Sequence, residues 1–495
     1  MRVLLDTNIF IPLEDSSKVL DESLGNLVKL SNQHGHHLLV HPASKEDIER
    51  DSDVQRRNIS LSRIYKYPLL EEPPVLSANE LSKLGLSQTK DNDRVDNLIL
   101  YALLRDTVDL LVTEDRGMHK KAIRLGLTDR VHYIQQAAEL LRKLHSKEAV
   151  ALPSIRDLPT HNLDLNDSFF DSLREGYPGF DKWFTEKCCR EGRHAWTYFD
   201  GPGHPRAICI YNEEESPIVT DDNRALPGRS LKLCTFKVGE EVRGRKIGEL
   251  FLKAAFQYST KNCIEHIYLT MKSDKQAYLQ DMVKEYGFCH FGGHNGDQVF
   301  VKAHPVQPPK DSRTPLDYHV HFFPHFKCGS EIGKYIVPIQ PKFHAVLFPE
   351  IQRQPGLFSH SAVGNAIKQA YLCHARIKGL AAGDIVMFYR SHDLKAITSI
   401  GVIESVHDLA DTDKIVPLVS KRTVYSFDDI SEMAEKRTKI ILFRLAMHFE
   451  QPVTYQWLQS EGVINGQIQT IRKISDVSFR RIVDERGITN CVYAD

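Results

Sequence analysis

The sequence predicts a three-domain α/β protein, on the basis of its length, its alternating patterns and two proline-containing stretches. The chain has 495 residues, which is more than one ordinary core holds. Strands alternate with helical patterns over residues 1–148 and again over 165–303, whereas residues 333–495 mix helices with short predicted strands such as HAVLFP. We interpret residues 149–164 and 304–332 as linkers, because their prolines do not extend a helix or a central strand.

The composition is typical of a globular protein without a membrane segment. Hydrophobic residues make up 41% of the chain and charged residues 26%, and no apolar run reaches the ~18 residues that a membrane span needs. Asp6 interrupts the first apolar run, so we expect no signal peptide and predict a cytoplasmic location. The nine cysteines contain no CxxC pair and are expected to be reduced thiols.

In the first domain, two apolar runs end on carboxylates. Residues 3–5 lead into Asp6, and residues 110–113 lead into Glu114 and Asp115. The segments LVKLSNQHG, HHLLVHP and VDNLILYALLRD lie between them and predict a helix, a strand and a helix. This order indicates a parallel sheet, in which ligands bind at the carboxyl ends of the strands. The two strand-end aspartates are therefore expected at a site.

Further carboxylates of the same domain lie at the pair Glu46 and Asp47 and at the cluster Asp91, Asp93 and Asp96. Divalent cations such as Mg²⁺ prefer oxygen ligands. Two such ions ~4 Å apart can activate water and stabilise the leaving oxygen of a phosphodiester. The alternative is that the acids cap helices, because Asp96 and Asp47 both lie near predicted helix starts.

Four segments together resemble the PIN domains: LLDTNIF, ASKEDI, VDNLILYAL and LLVTEDRGMHKKA. The resemblance implies a Rossmann-like nuclease fold that uses Mg²⁺ or Mn²⁺ to cut RNA. It implies three metal-binding catalytic acids at Asp6, Asp96 and Asp115. The remaining catalytic acid falls at Asp47 or Glu46, which the alignment does not distinguish, and we adopt Asp47. The small polar residues beside the acids are matched by Thr7, Asn8 and Thr113.

A turn rich in glycine and arginine joins the predicted strand LKLCTFKV to the predicted helix GELFLKAAFQYS. Backbone amides at a helix N-terminus hold anions, although an ordinary strand-to-helix turn would carry the same residues. The segment resembles the acetyl-CoA loop of the GNAT acetyltransferases, and KQAYLQDMVKEYGF resembles that family's last helix and Gly-Phe turn. The resemblance implies that acetyl-CoA is bound by Val238, Arg243, Gly244, Arg245, Lys246 and Gly248.

Two positions depart from the GNAT pattern. Lys246 replaces the first glycine of the loop, and Val283 stands where the family often has a general-acid tyrosine. Tyr278 or Tyr286 would have to donate the proton to the leaving thiolate instead. The sequence therefore favours cofactor binding over acetyl transfer.

The third domain carries Phe388, Tyr389 and Arg390 on the predicted strand DIVMFYR. Aromatic and basic residues at the rim of a sheet suit stacked bases and phosphates, although Phe388 suits a core equally well. The segment is similar to the PUA-like superfamily, near the ASCH and EVE modules. This similarity implies a small β-barrel with added helices that binds RNA.

The resemblances jointly imply a metal-dependent, RNA-directed endonuclease combined with an acetyl-CoA-dependent N-acetyltransferase, in a toxin, defence or RNA-modifying role. The expected partners are RNA, with tRNA among the candidates, acetyl-CoA, and an antitoxin or a second copy of the chain. One alternative is that acetyl transfer is the main activity. Another is a scaffold that senses acetyl-CoA or RNA, in which the first and third domains only recruit RNA.

Overall fold

A computed structural model describes most of the chain, with several gaps. The described residues are 1–15, 19–88, 91–145, 154–200, 203–242, 245–272, 277–352, 361–363, 367–419, 422, 425–488 and 492–493. Within these ranges, no helix combines the length and the apolar character needed to span a bilayer.

The strands in chain order are β1 (Arg2–Leu5), β2 (His37–Val40), β3 (Leu110–Val112), β4 (Val131–His132), β5 (Ser154–Pro159), β6 (His194–Phe199), β7 (Pro205–Glu215), β8 (Arg229–Val238), β9 (His266–Met271), β10 (Cys289–His294), β11 (Asp297–Ala303), β12 (Phe326–Lys327), β13 (Lys334–Ile339), β14 (Ser361–Val363), β15 (Lys368–Cys373), β16 (Ile385–Arg390), β17 (Ala396–Leu409), β18 (Thr438–Thr454), β19 (Arg472–Lys473) and β20 (Val492–Tyr493).

The α-helices in chain order are α1 (Thr7–Glu14), α2 (Glu22–Gln33), α3 (Ser44–Glu49), α4 (Val54–Arg63), α5 (Ala78–Lys83), α6 (Asp91–Leu104), α7 (Arg116–Arg124), α8 (Ile134–His145), α9 (Asp171–Gly176), α10 (Phe180–Trp183), α11 (Ile247–Lys261), α12 (Ala277–Glu285), α13 (Pro315–Phe322), α14 (Pro341–Leu347), α15 (Thr412–Val419), α16 (Phe427–Ala434), α17 (Tyr455–Ser460) and α18 (Asp476–Glu485).

The chain divides into two compact units. The first contains Met1–Val150 and Leu409–Thr438, and the second contains Ala151–Asp408 and Lys439–Asp495. Both units are mixed α/β, and the first holds a parallel sheet. The coarse fold class expected from the sequence is therefore found.

The first unit is built on a parallel sheet in the order β2-β1-β3-β4. Leu4 and Leu5 of β1 are fully buried, because helices cover both faces of such a sheet. The chain passes from β1 to β2 on one side and later to β3 on the other. The point where the strand order reverses lies between β1 and β3, which is where α/β sheets bind ligands.

A pair of helices from much later in the sequence, α15 and α16, belongs to this first unit. Arg422, which lies between them, donates hydrogen bonds to both carboxylate oxygens of Asp129, at 3.2 and 3.1 Å. Asp129 precedes β4, so this contact lies at the amino ends of the strands. The helix pair thus packs near the edge of the sheet opposite to the strand ends at Asp6 and Asp115.

The second unit contains an eight-stranded sheet in the order β10-β11-β9-β8-β7-β6-β5-β14. Strands β8 and β9 are its parallel neighbours, and they pair only from Ser230–Leu233 to His266–Leu269. Beyond these pairs β8 continues to Val238 alongside β7, and β9 continues alongside β11. The two parallel strands therefore separate toward their carboxyl ends.

A six-stranded sheet in the order β15-β18-β17-β16-β13-β19 forms the rest of the second unit, with a short parallel pair of β12 and β20. Phe388 of β16 is fully buried and packs its ring against Phe443, 4.6 Å away between centroids. The core interpretation of Phe388 is the correct one. Closure of this sheet into a barrel stays a prediction.

Three segments differ from the expected secondary structure. HAVLFP was expected to be a strand, but it lies mainly in α14, because Pro341 occupies the first turn, where its missing N–H costs nothing. Ser154–Pro159, within an expected linker, forms β5 and pairs with β6. Pro315–Phe322, within the other expected linker, forms α13, again with proline in the first turn and Thr314 as its N-cap.

Candidate functional site

The two strand-end aspartates of the first unit meet through Thr113. The Thr113 hydroxyl donates to Asp6 Oδ2 at 2.6 Å and accepts from the backbone amide of Asp115 at 2.9 Å. Asn8 closes the same junction, because its Nδ2 donates to Thr113 Oγ1 at 3.2 Å and its Oδ1 accepts from the Glu114 amide at 3.2 Å. The small polar residues beside the acids therefore join the ends of β1 and β3.

Both aspartates also cap helices. The capping alternative named Asp47 and Asp96 instead, and these two residues lie within α3 and α6. Asp6 Oδ1 accepts from the Thr7 amide at 2.7 Å at the start of α1, and Asp115 Oδ1 accepts from the Met118 amide at 2.8 Å at the start of α7. Capping engages one oxygen of each carboxylate. It does not account for Asp6 Oδ2, which is held by Thr113 inside the unit.

Asp96 of α6 and Asp47 of α3 complete the acidic group. The Thr7 hydroxyl donates to Asp47 Oδ2 at 3.2 Å. The charges of Asp47 and Asp115 both act on Asp96, and those of Asp96 and Asp115 act on Asp6. The structure thus brings Asp6, Asp47, Asp96 and Asp115 together in one region.

Glu46, the competing candidate for the second acid, turns elsewhere. Its side chain is 42% exposed and forms an ion pair with Arg94. The Asp47 side chain is 15% exposed, and in addition to Thr7 it pairs with Arg50. Between the two alternatives, the geometry favours Asp47.

The electrostatics of the group reflect crowded carboxylates. Burial raises the pKa of Asp6 to about 7, and the Asp96 and Asp115 charges add to the rise, while the Thr113 hydroxyl and the Thr7 amide oppose it. Burial likewise raises the pKa of Asp96 to about 6, against the attraction of Lys121. Burial also raises the pKa of Asp47. Perturbed carboxylates of this kind collect at functional sites.

Lys121 of α7 was not singled out by the sequence analysis. Its ammonium lies 3.1 Å from Asp93 Oδ1 and 3.5 Å from Asp96 Oδ2. Lys121 lies on α7, six residues after Asp115. This spacing is the one feature of the sequence that places it near the acids. Within the described residues, no group of three or more His, Cys, Asp or Glu side chains is arranged to hold a metal ion as it stands.

In the second unit, the expected cofactor turn follows β8. Val238 ends the strand, half-buried, while Arg243 and Gly244 lie outside the described residues. Lys246 precedes α11 in the left-handed conformation at φ 61°, and no side chain caps that helix. Arg245 pairs with Asp200 at 3.0 Å. The end of β8 and the start of α11 thus lie where β8 and β9 have separated.

Gly248 has a packing role at the start of α11. A Cβ atom there would lie 3.1 Å from Met282 Sδ, so glycine lets α11 approach α12 closely. Val283 is fully buried in the core. Tyr286 is also buried and donates to Glu249 Oε2 at 2.7 Å, and burial raises its pKa well above the usual range. Tyr278 is 46% exposed. Tyr286 is therefore poorly suited to proton donation.

A cleft of about 660 Å³ opens on the six-stranded sheet. Its aromatic walls are Tyr371, Tyr389 and Tyr455, and its polar lining includes Gln340, Gln467, Gln469, Ser391, His392 and Lys395. Among the described residues that line it, none is Asp or Glu. Tyr389 was expected at a binding rim, whereas the neighbouring Arg390 turns to an ion pair with Asp393. The other tyrosines were missed, because they come from segments far apart in sequence.

The sequence matches no protein-family model, and no curated protein is similar to it. Parts of the chain are similar to solved structures. ASCH from Zymomonas mobilis is 12% identical over 32% of this chain and 98% of its own, with a TM-score of 0.25. Arabidopsis thaliana NAA60, solved with a bisubstrate analogue, is 15% identical over 30% of this chain and 97% of its own, with a TM-score of 0.24. The IAA acetyltransferase of Bacillus cereus is 13% identical over 30% of this chain and 97% of its own, with a TM-score of 0.23.

About 30% of the chain is thus similar to an ASCH protein and about 30% to acetyltransferases. Identities and TM-scores of this size establish no family, substrate or activity for this chain. Nuclease activity and Mg²⁺ or Mn²⁺ have no support from these similarities.

We expect Asp6→Asn to stabilise the protein at about pH 8 by about 1–3 kcal/mol and to have little effect at about pH 3. The folded state raises the pKa of Asp6 to about 7, so it binds a proton that the unfolded chain has released. The stability that Asp6 contributes is therefore full below its unfolded pKa of 3.8, falls as the pH rises from there to about 7, and is lost above that pH. The uncharged Asn avoids this loss.

Calorimetric melting of the full chain at both pH values measures this effect. Glu46→Gln serves as the control, because Glu46 lies on the surface. If the Asp6→Asn variant melts at a lower temperature than the wild type at both pH values, the claim that the fold raises the pKa of Asp6 is wrong.

Proposed function

We propose that the first unit is a metal-dependent ribonuclease. The observation that supports this proposal is the gathering of four carboxylates around the junction held by Thr113, at the reversal point of a parallel sheet. Burial, with a smaller contribution from the neighbouring carboxylates, raises the pKa of Asp6 and of Asp96, so these groups are costly to ionise without a cation. The donor set is all carboxylate, which suits Mg²⁺ or Mn²⁺.

Asp6, Asp96 and Asp115 would hold the ion, and Asp47 would act beside them. A bound ion would supply a Lewis acid and an activated water for phosphodiester hydrolysis. The residues of the chain have defined supporting roles. Thr113 and the Thr7 amide orient the two oxygens of Asp6, and Asn8 fixes the spacing of the two strand ends. The carboxylates would have to turn toward the ion, because they are not arranged around a common point.

RNA is the partner we propose, and the cleft on the six-stranded sheet favours it. Tyr455 is partly exposed and offers a face for base stacking, whereas Tyr371 and Tyr389 are buried in the floor of the cleft. The amide side chains offer hydrogen bonds to base edges. Lys395 supplies positive charge, and the described lining has no carboxylate to repel phosphates. A role in toxin activity or defence, and any antitoxin, belong to the same proposal.

Binding of acetyl-CoA, with acetyl transfer to an amine, is a second proposed function. It is favoured by the separation of β8 from β9, beside the uncapped N-terminus of α11. Free amides at such a terminus bind phosphate groups. Because Tyr286 is buried and Val283 has no proton to donate, these residues support binding of the cofactor more directly than transfer. A scaffold that senses acetyl-CoA is therefore the alternative for this unit.

The ribonuclease proposal predicts that Asp47→Asn lowers Mn²⁺-dependent RNA cleavage by about 10- to 100-fold, the range typical for loss of a metal-site group. Glu46→Gln, one residue away, should change the rate by less than about twofold, because an exposed ion pair contributes little. The measurement is the initial rate of cleavage of total RNA by the full chain. Cleavage that is unchanged in both Asp47→Asn and Asp6→Asn would assign the activity to another site or to a contaminant.

Replacement of Tyr455 by Ala is expected to weaken single-stranded RNA binding by about 5- to 100-fold, corresponding to the ~1–3 kcal/mol of one stacked base. Fluorescence anisotropy with a labelled oligonucleotide and no divalent ion measures binding without cleavage. Tyr65→Ala is the matched control, because Tyr65 is 70% exposed in the first unit. Equal losses in both variants, or none in Tyr455→Ala, would reject the cleft as the RNA site.

Lys246→Glu should weaken acetyl-CoA binding about tenfold or more, the effect of losing one charge-assisted hydrogen bond of about 1.5 kcal/mol. Lys261→Glu places the same charge change at the other end of α11 and should leave affinity unaltered. Isothermal titration of the full chain with acetyl-CoA measures both. If the wild type takes up no acetyl-CoA, the proposed cofactor site is wrong.

A further inference from the structure

Cys289 of β10 and His321 of α13 place a thiol beside an imidazole at the surface of the second unit. The Sγ atom of Cys289 lies 4.0 Å from His321 Nε2, a hydrogen-bond contact for the large sulfur atom. Of the described cysteines, only Cys289 and Cys263 are exposed. No imidazole of the described part of the chain is hydrogen-bonded to the Cys263 thiol. The two exposed thiols therefore differ in that one of them has a base beside it.

A hydrogen bond on the other side of the His321 ring fixes its tautomer. Nδ1 lies 3.1 Å from the backbone oxygen of Asp317, and a carbonyl oxygen can only accept. Nδ1 therefore carries the proton of the neutral ring, and Nε2 presents its lone pair to the thiol. Burial lowers the pKa of His321 below its usual 6.5, and the charges of Arg313 and Lys302 add to this effect, while Asp317 opposes it. The ring is consequently neutral at about pH 7 and free to accept a proton.

The close approach of α13 to the start of β10 holds the pair together. Gly287, two residues before Cys289, has φ 85°, and a Cβ atom there would collide with the backbone oxygen of Val320. The buried ammonium of Lys302, on β11, donates to the backbone oxygens of Val320 and His321, at 2.8 and 2.9 Å. The end of α13 is thus fixed against the sheet, and the imidazole is fixed with it.

We propose that Cys289 is a reactive thiol that exchanges with small disulfides, with His321 as its general base. The thiolate is the form that attacks a disulfide, and a neighbouring base activates a cysteine by taking its proton. The thiol proton passes to His321 Nε2 while Sγ attacks one sulfur of the reagent. The S–S bond of the reagent breaks, a new S–S bond forms at Cys289, and the leaving thiolate takes the proton from His321. Cys289 is thereby oxidised to a mixed disulfide, and half of the reagent is reduced to a thiol.

This exchange needs neither a metal ion nor acetyl-CoA, so it is separate from the functions proposed above. The test is the initial rate at which each cysteine of the reduced full chain forms a mixed disulfide with glutathione disulfide, resolved by peptide mass spectrometry. At about pH 7, Cys289 should react at least about fivefold faster than Cys263, because both thiols are exposed and only one has a base.

Replacement of the base gives the sharper comparison. His321→Gln should slow the reaction of Cys289 by about 5- to 30-fold, a range limited by the few per cent of an ordinary thiol that is already ionised at about pH 7. His290→Gln is the matched control, because His290 follows Cys289 on β10 and packs edge-on against Phe300. Neighbouring side chains of a strand point to opposite faces, so this variant should change the rate by less than about twofold.

The pH profile of the wild type supplies a second measurement that needs no variant. Between about pH 7 and pH 8 the rate at Cys263 should rise about eightfold, as for a thiol that must ionise in water. The rate at Cys289 should rise less than about threefold, because neutral His321 accepts the proton at both pH values.

Circular dichroism melting verifies that each variant is folded. A Cys289 rate equal to that of Cys263, or one that is unchanged in folded His321→Gln, would overturn the proposal. If His321→Gln does not fold, the pH profile of the wild type decides, and equal pH dependence at the two cysteines would show that Cys289 has no general base.

Discussion

The hydrogen bonds of the Thr113 hydroxyl are the contact on which the account of the first unit depends. This one group joins the carboxylate of Asp6, after β1, to the backbone at Asp115, after β3. Because the two strands are parallel neighbours, their carboxyl ends already lie at the same edge. Thr113 converts this proximity into a defined arrangement, and Asn8 reinforces it from the first turn of α1, which follows β1.

The same acids serve the fold and the proposed site. Asp6 and Asp115 cap α1 and α7, so their positions are set by the first turns of two helices. Burial makes the Asp6 carboxyl group costly to ionise. A bound cation would stabilise its charged form, as the proposed site requires. A cap alone would be satisfied on the surface, whereas Asp6 is 3% exposed. The proposed function and the stability of the fold therefore make opposite demands on this residue.

The sequence predicted the elements whose signals are local. The helix α6, the strand β3 and the acid after it follow from apolar spacing and a strand-end carboxylate. The strand predicted at HAVLFP is wrong, because a run of apolar residues is compatible with both a strand and the short helix that Pro341 begins. Periodicity alone does not separate these two outcomes.

Contacts between segments that are far apart in the chain could not be predicted from the sequence. The choice of Asp47 over Glu46 depends on which side of α3 faces Thr7. The cleft draws Tyr371 from β15 and Tyr455 from the start of α17. The helices α15 and α16 join the first unit from more than two hundred residues away. Such pairings arise from tertiary packing, and no spacing rule within one segment encodes them.

Crystals of the full chain soaked in Mn²⁺ offer the most direct test of the claim that these carboxylates form a metal centre. Anomalous scattering locates the ion without any assumption about activity. The account predicts a peak within about 2.2 Å of carboxylate oxygens of both Asp6 and Asp115, close to the bond lengths of octahedral divalent ions. A saturating soak that leaves this edge of the sheet without a peak, or with the ion bound elsewhere, would contradict it.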